Sequence, residues 1–247
     1  MGWIEKALMR ANRWHFVHSY RTIIAREKRK HPQDRERALM GAIGAASRAD
    51  FAAQGDAQVA VLRHHGLSDG MAVYDLGCGI GRTAQALLRD GWRGRYTGAD
   101  ILPELVDHLR AQCPGFTAIV QRKLAIAAPD ATLDMVFHWS VFTHLYPEEC
   151  FLYLQDIHRA LKPGGRLIFS FLEFEDPAHH TVFQTRTANF AVNGWSSVLD
   201  SFLHRDWITL WARQIGFAPP RFTSGSDTAD HPAFWQSLAV LDKPAPA

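Results

Sequence analysis

Between Val73 and Gly81 the chain reads VYDLGCGIG, with three glycines within five residues directly after a strand-forming run. Glycine costs backbone entropy and adds nothing to a core, so such a cluster marks a place where something must lie against bare backbone. The surrounding pattern constrains the architecture. Downstream of Leu67–Gly70 (LSDG), short apolar runs alternate with helix-like segments, the signature of a parallel sheet wrapped by crossover helices. Strands are expected at about 72–76, 95–100, 116–121, 133–138, 166–172, 220–224 and 234–241. From Pro147 to Leu161 a helix is expected, with Phe151, Leu154, Ile157, His158 and Leu161 on one face and Lys162-Pro163-Gly164-Gly165 as its stop. Another is expected from Asp206, read as its N-cap, to a terminating Gly216. The stretch at about 173–205 shows no clear periodicity. It is read as a loop insertion above the edge where parallel strands end, which is where open α/β sheets bind ligands.

Residues 1–69 read differently: apolar residues at helical spacing and no β-branched alternation predict an N-terminal helical cap or accessory segment. The total formal charge of +2 hides an asymmetry, because residues 1–48 carry 11 Lys/Arg against 4 Asp/Glu. Arg26–Arg37 (REKRKHPQDRER), broken at Pro32, reads either as a solvated helix face or as a contact for an anionic partner. Arg13–Arg21 (RWHFVHSYR) alternates basic and aromatic residues; it is either a packing stripe or a segment that closes over a substrate. No apolar run approaches the roughly 18 residues that span a bilayer, and the first residues lack the features of a secretion signal, so a cytoplasmic protein is expected. Cys78, Cys113 and Cys150 are too few and too far apart for a disulfide framework or a zinc site.

Three glycine-rich signatures compete for the turn. A phosphate-binding P-loop needs Lys after its glycines, and Gly81 is followed by Arg82. The dinucleotide fingerprint needs a small residue where Arg82 stands, three after Gly79. The whole string Asp75-Leu76-Gly77-Cys78-Gly79-Ile80-Gly81-Arg82 resembles the first motif of the class I S-adenosylmethionine-dependent methyltransferases. Further motifs stand in the family's order: Asp100 in YTGADILPE, 21 residues after Gly79, then Leu133–Leu145 (LDMVFHWSVFTHL), then LKPGGRLIFS.

The resemblance implies a Rossmann-like α/β fold, a seven-stranded and mostly parallel sheet of order 3-2-1-4-5-7-6, in a core spanning residues 70–247 behind the cap. It also implies S-adenosyl-L-methionine as cofactor. Gly77 and Gly79 would bring backbone N–H groups to its amino-acid end with Cys78 and Arg82 beside them, and Asp75 would accept from its ammonium. Asp100 would take both ribose hydroxyls, since each carboxylate oxygen can accept one. Ile101 and Leu102 would pack on adenine, the Leu124 region would contact adenine through backbone groups, and His138, Trp139 and Ser140 would flank the cofactor. Relatives often place an Asp after the third strand; here Gln121, Arg122 and Lys123 stand there instead.

Methyl transfer from a sulfonium is an in-line displacement, so the protein fixes geometry and removes a proton from the acceptor. His144 is the candidate base, an imidazole suited to neutral pH; it could equally cap the next helix or satisfy a buried backbone group. His179 and His180 could supplement or replace it. The tetrapeptide of planar-nitrogen methyltransferases, a cysteine for cytosine chemistry and the acidic cluster of magnesium-dependent catechol-type enzymes are all missing, so no metal is expected. The expected reaction is O-methylation of a sugar or natural-product hydroxyl, on a small-molecule acceptor that the basic cap would suit if it bore phosphate. Amine N-methylation, RNA methylation and non-catalytic cofactor binding are the alternatives. The lack of an evident RNA-binding module argues against nucleic acid as partner.

Overall fold

Alternation of short strands with amphipathic helices produces one mixed sheet, seen in a computed structural model that describes residues 15–194, 199–232 and 234–245. The helices are α1 (His15–Lys30), α2 (Arg35–Ala42), α3 (Arg48–His64), α4 (Arg82–Asp90), α5 (Pro103–Gln112), α6 (Pro147–Ala160), α7 (Pro177–Asn193) and α8 (Arg205–Ile215). The strands are β1 (Ala72–Leu76), β2 (Arg95–Asp100), β3 (Thr117–Val120), β4 (Leu133–His138), β5 (Leu161–Glu173), β6 (Phe202–Leu203), β7 (Arg221–Thr223) and β8 (Ser237–Asp242). The sheet runs β3-β2-β1-β4-β5-β8-β7, with β6 paired to β5 off this path. The first five strands are parallel, and β8 is antiparallel to both β5 and β7. The expected order is found once the two-residue β6 is set aside; the sheet has eight strands, not seven. Such a stub has no room for a period-2 pattern.

The sheet is buried on both faces. Tyr74, Val136, Leu167, Phe169 and Leu241 pack with Leu154 and Ile157 of α6 and Ile208 and Ala212 of α8. The opposite-facing Val73, Met135, Phe137 and Ile168 pack with α3, α4 and α5 through Val59, Leu62, Leu87 and Leu109. Helix α3 therefore belongs to the sheet's own face, although the sequence groups it with the cap. Gly55 makes this possible: a Cβ there would sit 2.9 Å from the Arg82 carbonyl oxygen and 3.1 Å from Ala86 Cβ. The remaining cap, α1 and α2, buries Val17, Ile24, Leu39 and Met40 against Ile80, Leu102 and Leu105 around the glycine turn. The break between α1 and α2 falls at Pro32, and Asp34 caps α2 by accepting from the Arg37 N–H at 2.8 Å. Arg13 and Trp14 lie outside the described residues.

Two expectations are corrected. The stretch read as a loop at 173–205 contains the 17-residue α7. Only His179 of this helix is buried, so its apolar residues follow no core-facing stripe. The N-cap of α8 is His204 rather than Asp206: the His204 Nδ1 accepts the Asp206 N–H at 3.2 Å, a role that histidine rarely signals in sequence. Among the described residues no helix is long and apolar enough to cross a membrane.

Candidate functional site

The chain reverses its direction of travel across the sheet between β1 and β4, so the carboxyl ends of these strands form a topological switch point, the place where open α/β sheets bind ligands. The glycine turn lies there, and all three glycines have positive φ, at 73°, 55° and 87°. What fills the space they leave is partly the protein itself. A Cβ on Gly77 would lie 2.5 Å from Val141 Cγ2, one on Gly81 2.8 Å from Leu109 Cγ, and one on Gly79 3.5 Å from Ile43 Cγ2 of the cap. Their amides are also committed. The N–H groups of Gly77 and Cys78 donate to the Ala99 carbonyl (2.8 and 3.0 Å), and that of Gly81 to Cys78 (3.0 Å). The Gly79 N–H donates to Asp100 Oδ2 at 3.0 Å. The expected presentation of the Gly77 and Gly79 N–H groups to a ligand is therefore corrected: they close the turn and tie it to β2.

Two carboxyl groups flank this turn. Asp75 Oδ2 accepts the Tyr96 hydroxyl at 2.6 Å, while Asp75 Oδ1 is buried with no hydrogen-bond partner. Burial pushes the Asp75 carboxyl up to about 8. At the end of β2, Asp100 Oδ1 accepts the Leu102 N–H at 3.1 Å, opposite the Gly79 contact. Burial raises its pKa, against the lowering effect of these backbone donors. Ile101 packs among the cap's partly buried residues, and its carbonyl accepts from Arg122 Nε at 3.0 Å, which draws the loop holding Leu124 toward β2. An orphaned buried oxygen and a carboxylate with unused lone pairs at one sheet edge fit a ligand that brings an ammonium and a vicinal diol.

The other sequence-predicted residues divide. Cys78 is buried, with its side chain over Gly98, where a Cβ would be 2.9 Å from the Cys78 Sγ; burial raises the thiol well above its usual pKa. Arg82 reaches the cap, donating from Nη2 to the Ile43 carbonyl at 2.8 Å and lying over the Phe51 ring at 5.5 Å. Trp139 packs at 4.8 Å from Phe234 and donates from Nε1 to Thr83 Oγ1 at 3.1 Å. His138 is fully buried between Phe169 (5.1 Å, stacked) and Phe142 (4.2 Å), with neither ring nitrogen partnered, and burial lowers its pKa to about 3. It is a neutral core residue. Ser140 stands at a positive φ of 58° directly after β4; its N–H donates to Ser170 Oγ at 2.8 Å and its hydroxyl to Gln236 Oε1 at 3.1 Å.

His144, at the end of the 3-10 turn Phe142–His144, differs from His138 in having a fixed tautomer. Its Nδ1 lies 2.9 Å from the Leu199 carbonyl oxygen, which can only accept, so Nδ1 carries the proton and Nε2 keeps its lone pair. Burial lowers its pKa, ahead of the raising effects of the Leu199 bond and Asp200; Arg186 adds to the lowering. Tyr20 of α1 meets this ring edge-on at 5.4 Å. Sequence reading placed Tyr20 only within an aromatic stripe; its pairing with His144 had no local signal. His179 is ruled out as a free base, because its Nδ1 accepts the Glu173 N–H at 2.9 Å and its Nε2 donates to the Trp235 carbonyl at 2.7 Å. His180 lies with Phe174, Glu175 and His204 along an open groove of about 870 Å³ beyond β5.

Comparison with known proteins agrees with this geometry. Residues 73–165 match the family model described as a methyltransferase domain. The chain is 30% identical over 114 residues to a trans-aconitate 2-methyltransferase from Rhodopseudomonas palustris, covering 46% of this chain and 43% of that protein. It is 33% identical over 121 residues to the protein of the same name from Azoarcus sp., covering 48% and 46%. The match thus spans less than half the length of these relatives. In fold it is similar to the magnesium protoporphyrin IX methyltransferase of Synechocystis PCC 6803 with bound SAH, with TM-score 0.58, 19% identity, and coverage of 81% of this chain and 89% of that one. With its sheet order, its glycine turn and the acidic residue closing β2, the chain has the fold of S-adenosylmethionine-dependent methyltransferases, and within it residues 73–165 match a methyltransferase domain.

Proposed function

We propose that this protein is an S-adenosylmethionine-dependent methyltransferase acting on a small-molecule hydroxyl, of a sugar or natural product, with His144 as general base. The observation that carries the reading is the fixed tautomer of His144 in the turn that follows β4: Nδ1–H is held by Leu199, and Nε2 is left as acceptor. When bound, S-adenosylmethionine supplies an electrophilic methyl on a sulfonium. Asp100 would hold its ribose hydroxyls and the orphaned Oδ1 of Asp75 would face its ammonium, with Ile101 and the Leu124 loop beside the base. The Leu199 bond would orient His144, whose Nε2 takes the acceptor's proton as oxygen attacks. A phosphate-bearing acceptor draws limited support, because the cap's cations are largely paired. Lys28 and Arg35 meet Glu104, and Arg48 meets Asp34 and Glu36.

Incubation with methyl-labelled S-adenosylmethionine and a panel of hydroxyl-bearing small molecules tests the reading. His144→Ala is expected to lower kcat by about 100-fold or more with the cofactor KM little changed, the range for loss of a positioned base. Transfer that survives His144→Ala at the wild-type rate would remove His144 from the mechanism. The acid limb of kcat/KM should have its midpoint below 6.5, because burial lowers the His144 pKa and the base works only when neutral.

A further inference from the structure

The N-terminal cap does more than cover the sheet. Tyr20, on the buried side of α1, brings its ring to 5.4 Å from that of His144 at an interplanar angle of 86°. Edge-to-face contact at this distance is favourable and sets the relative orientation of two rings. Asp100 and Asp200 both lie near enough to the Tyr20 phenol to add to the effect of burial in raising its pKa, so the hydroxyl stays protonated over the working range. Asp100 is the carboxylate at the end of β2, and Asp200 pairs with Arg186 of α7. His144 is therefore enclosed on several sides: the Leu199 carbonyl at Nδ1, the Asp200–Arg186 pair from the segment before β6 and from α7, and Tyr20 from the cap. Only the last of these comes from outside the sheet domain.

We infer that Tyr20 is a positioning residue for His144: its ring shields the imidazole from water and fixes the plane in which Nε2 is presented, so the base is complete only with the cap docked. This rests on the proposed role of His144 as base. The consequence is that the site is shared between α1 and the carboxyl edge of β4, and that whatever displaces α1 also disarms the base. The seam carrying this contact continues along α1, where Arg21, Ile24 and Lys28 line a cavity of about 320 Å³ with Leu102 and Glu104 at the start of α5.

The test is a pH titration of the His144 imidazole by NMR in the full chain, its resonance identified by its absence in His144→Gln. Wild type, Tyr20→Phe, Tyr20→Ala and Ile24→Ala are compared, each first shown to be folded by its thermal transition. Ile24, buried one turn further along α1, reports on loosening of the cap without loss of the Tyr20 ring. Tyr20→Ala is expected to raise the His144 midpoint toward 6.5 by about half a pH unit or more, since hydration of the ring relieves the burial that lowers it. Tyr20→Phe should stay near wild type, and so should Ile24→Ala. An unmoved midpoint in Tyr20→Ala would overturn the inference, as would a larger shift in Ile24→Ala, which keeps the Tyr20 ring, than in Tyr20→Ala. Methyl transfer by the same variants separates the two claims: an NMR shift without a matching shift in the acid limb of kcat/KM would keep the Tyr20 contact and reject His144 as base.

Discussion

His138, which ends β4, and His144, which ends the 3-10 turn that follows, show how little residue type alone decides. In sequence both are histidines after an apolar strand, and both were candidates to line the site. Packing separates them: His138 is sealed between Phe142 and Phe169, whereas His144 has a carbonyl to hold one nitrogen and the other free to accept. No local signal carries that difference, because the partners come from β5 and from the segment before β6. The buried His138 has a stability consequence. Its folded pKa of about 3 lies below the unfolded value near 6.5, so below 6.5 the unfolded chain takes up a proton that the native state does not. Its contribution is complete above 6.5 and is lost as pH falls toward 3, at up to about 1.4 kcal/mol per pH unit. His65, lowered to about 4 chiefly by burial, acts in the same direction. Urea midpoints measured from pH 7 to 4 should fall less steeply in His138→Phe than in wild type; parallel curves would show that His138 is hydrated.

Among the elements, legibility followed burial. Strands β1, β2 and β4 are legible to the residue because most of their positions are buried, β1 throughout. Helix α7 is not, because it faces solvent around nearly its whole circumference; Phe190 and Val192 are 60% and 83% exposed. Its one buried side chain, His179, is tied to β5 and to the Trp235 carbonyl, and such a tie is visible only in three dimensions. The packing of α3 was hidden for the opposite reason. Helix α3 resembles its neighbours in composition, and only the close approach at Gly55 shows that it packs on α4. Gly55→Val should cost about 1 to 3 kcal/mol through forced separation of the two helices, read as a lowered denaturant midpoint with unchanged m-value. A wild-type midpoint would mean that the helices part without cost.

Over the whole molecule, sheet order and its switch point were legible because a run of motifs in fixed order implies a topology, and the topology implies a switch point. The reason for the glycines was legible only in part. Bare backbone is needed there, but Val141, Leu109 and Ile43 use much of it, so the cofactor reading rests on Asp75, Asp100 and the fold together. The basic run of the cap suggested an anion-binding surface, but among the described residues Lys28, Arg35 and Arg48 meet carboxylates that folding brings to them, a pairing the sequence does not display. The central claim is that this sheet edge holds S-adenosylmethionine through Asp100. Its most direct test is calorimetric titration of the full chain with S-adenosylhomocysteine, repeated on Asp100→Ala with folding verified by its thermal transition. The account predicts saturable one-site binding by the wild type, weakened at least about tenfold in the variant, as expected when a buried acceptor of two hydroxyl groups is lost. Absence of binding by the folded wild type, or equal binding by both proteins, would contradict it.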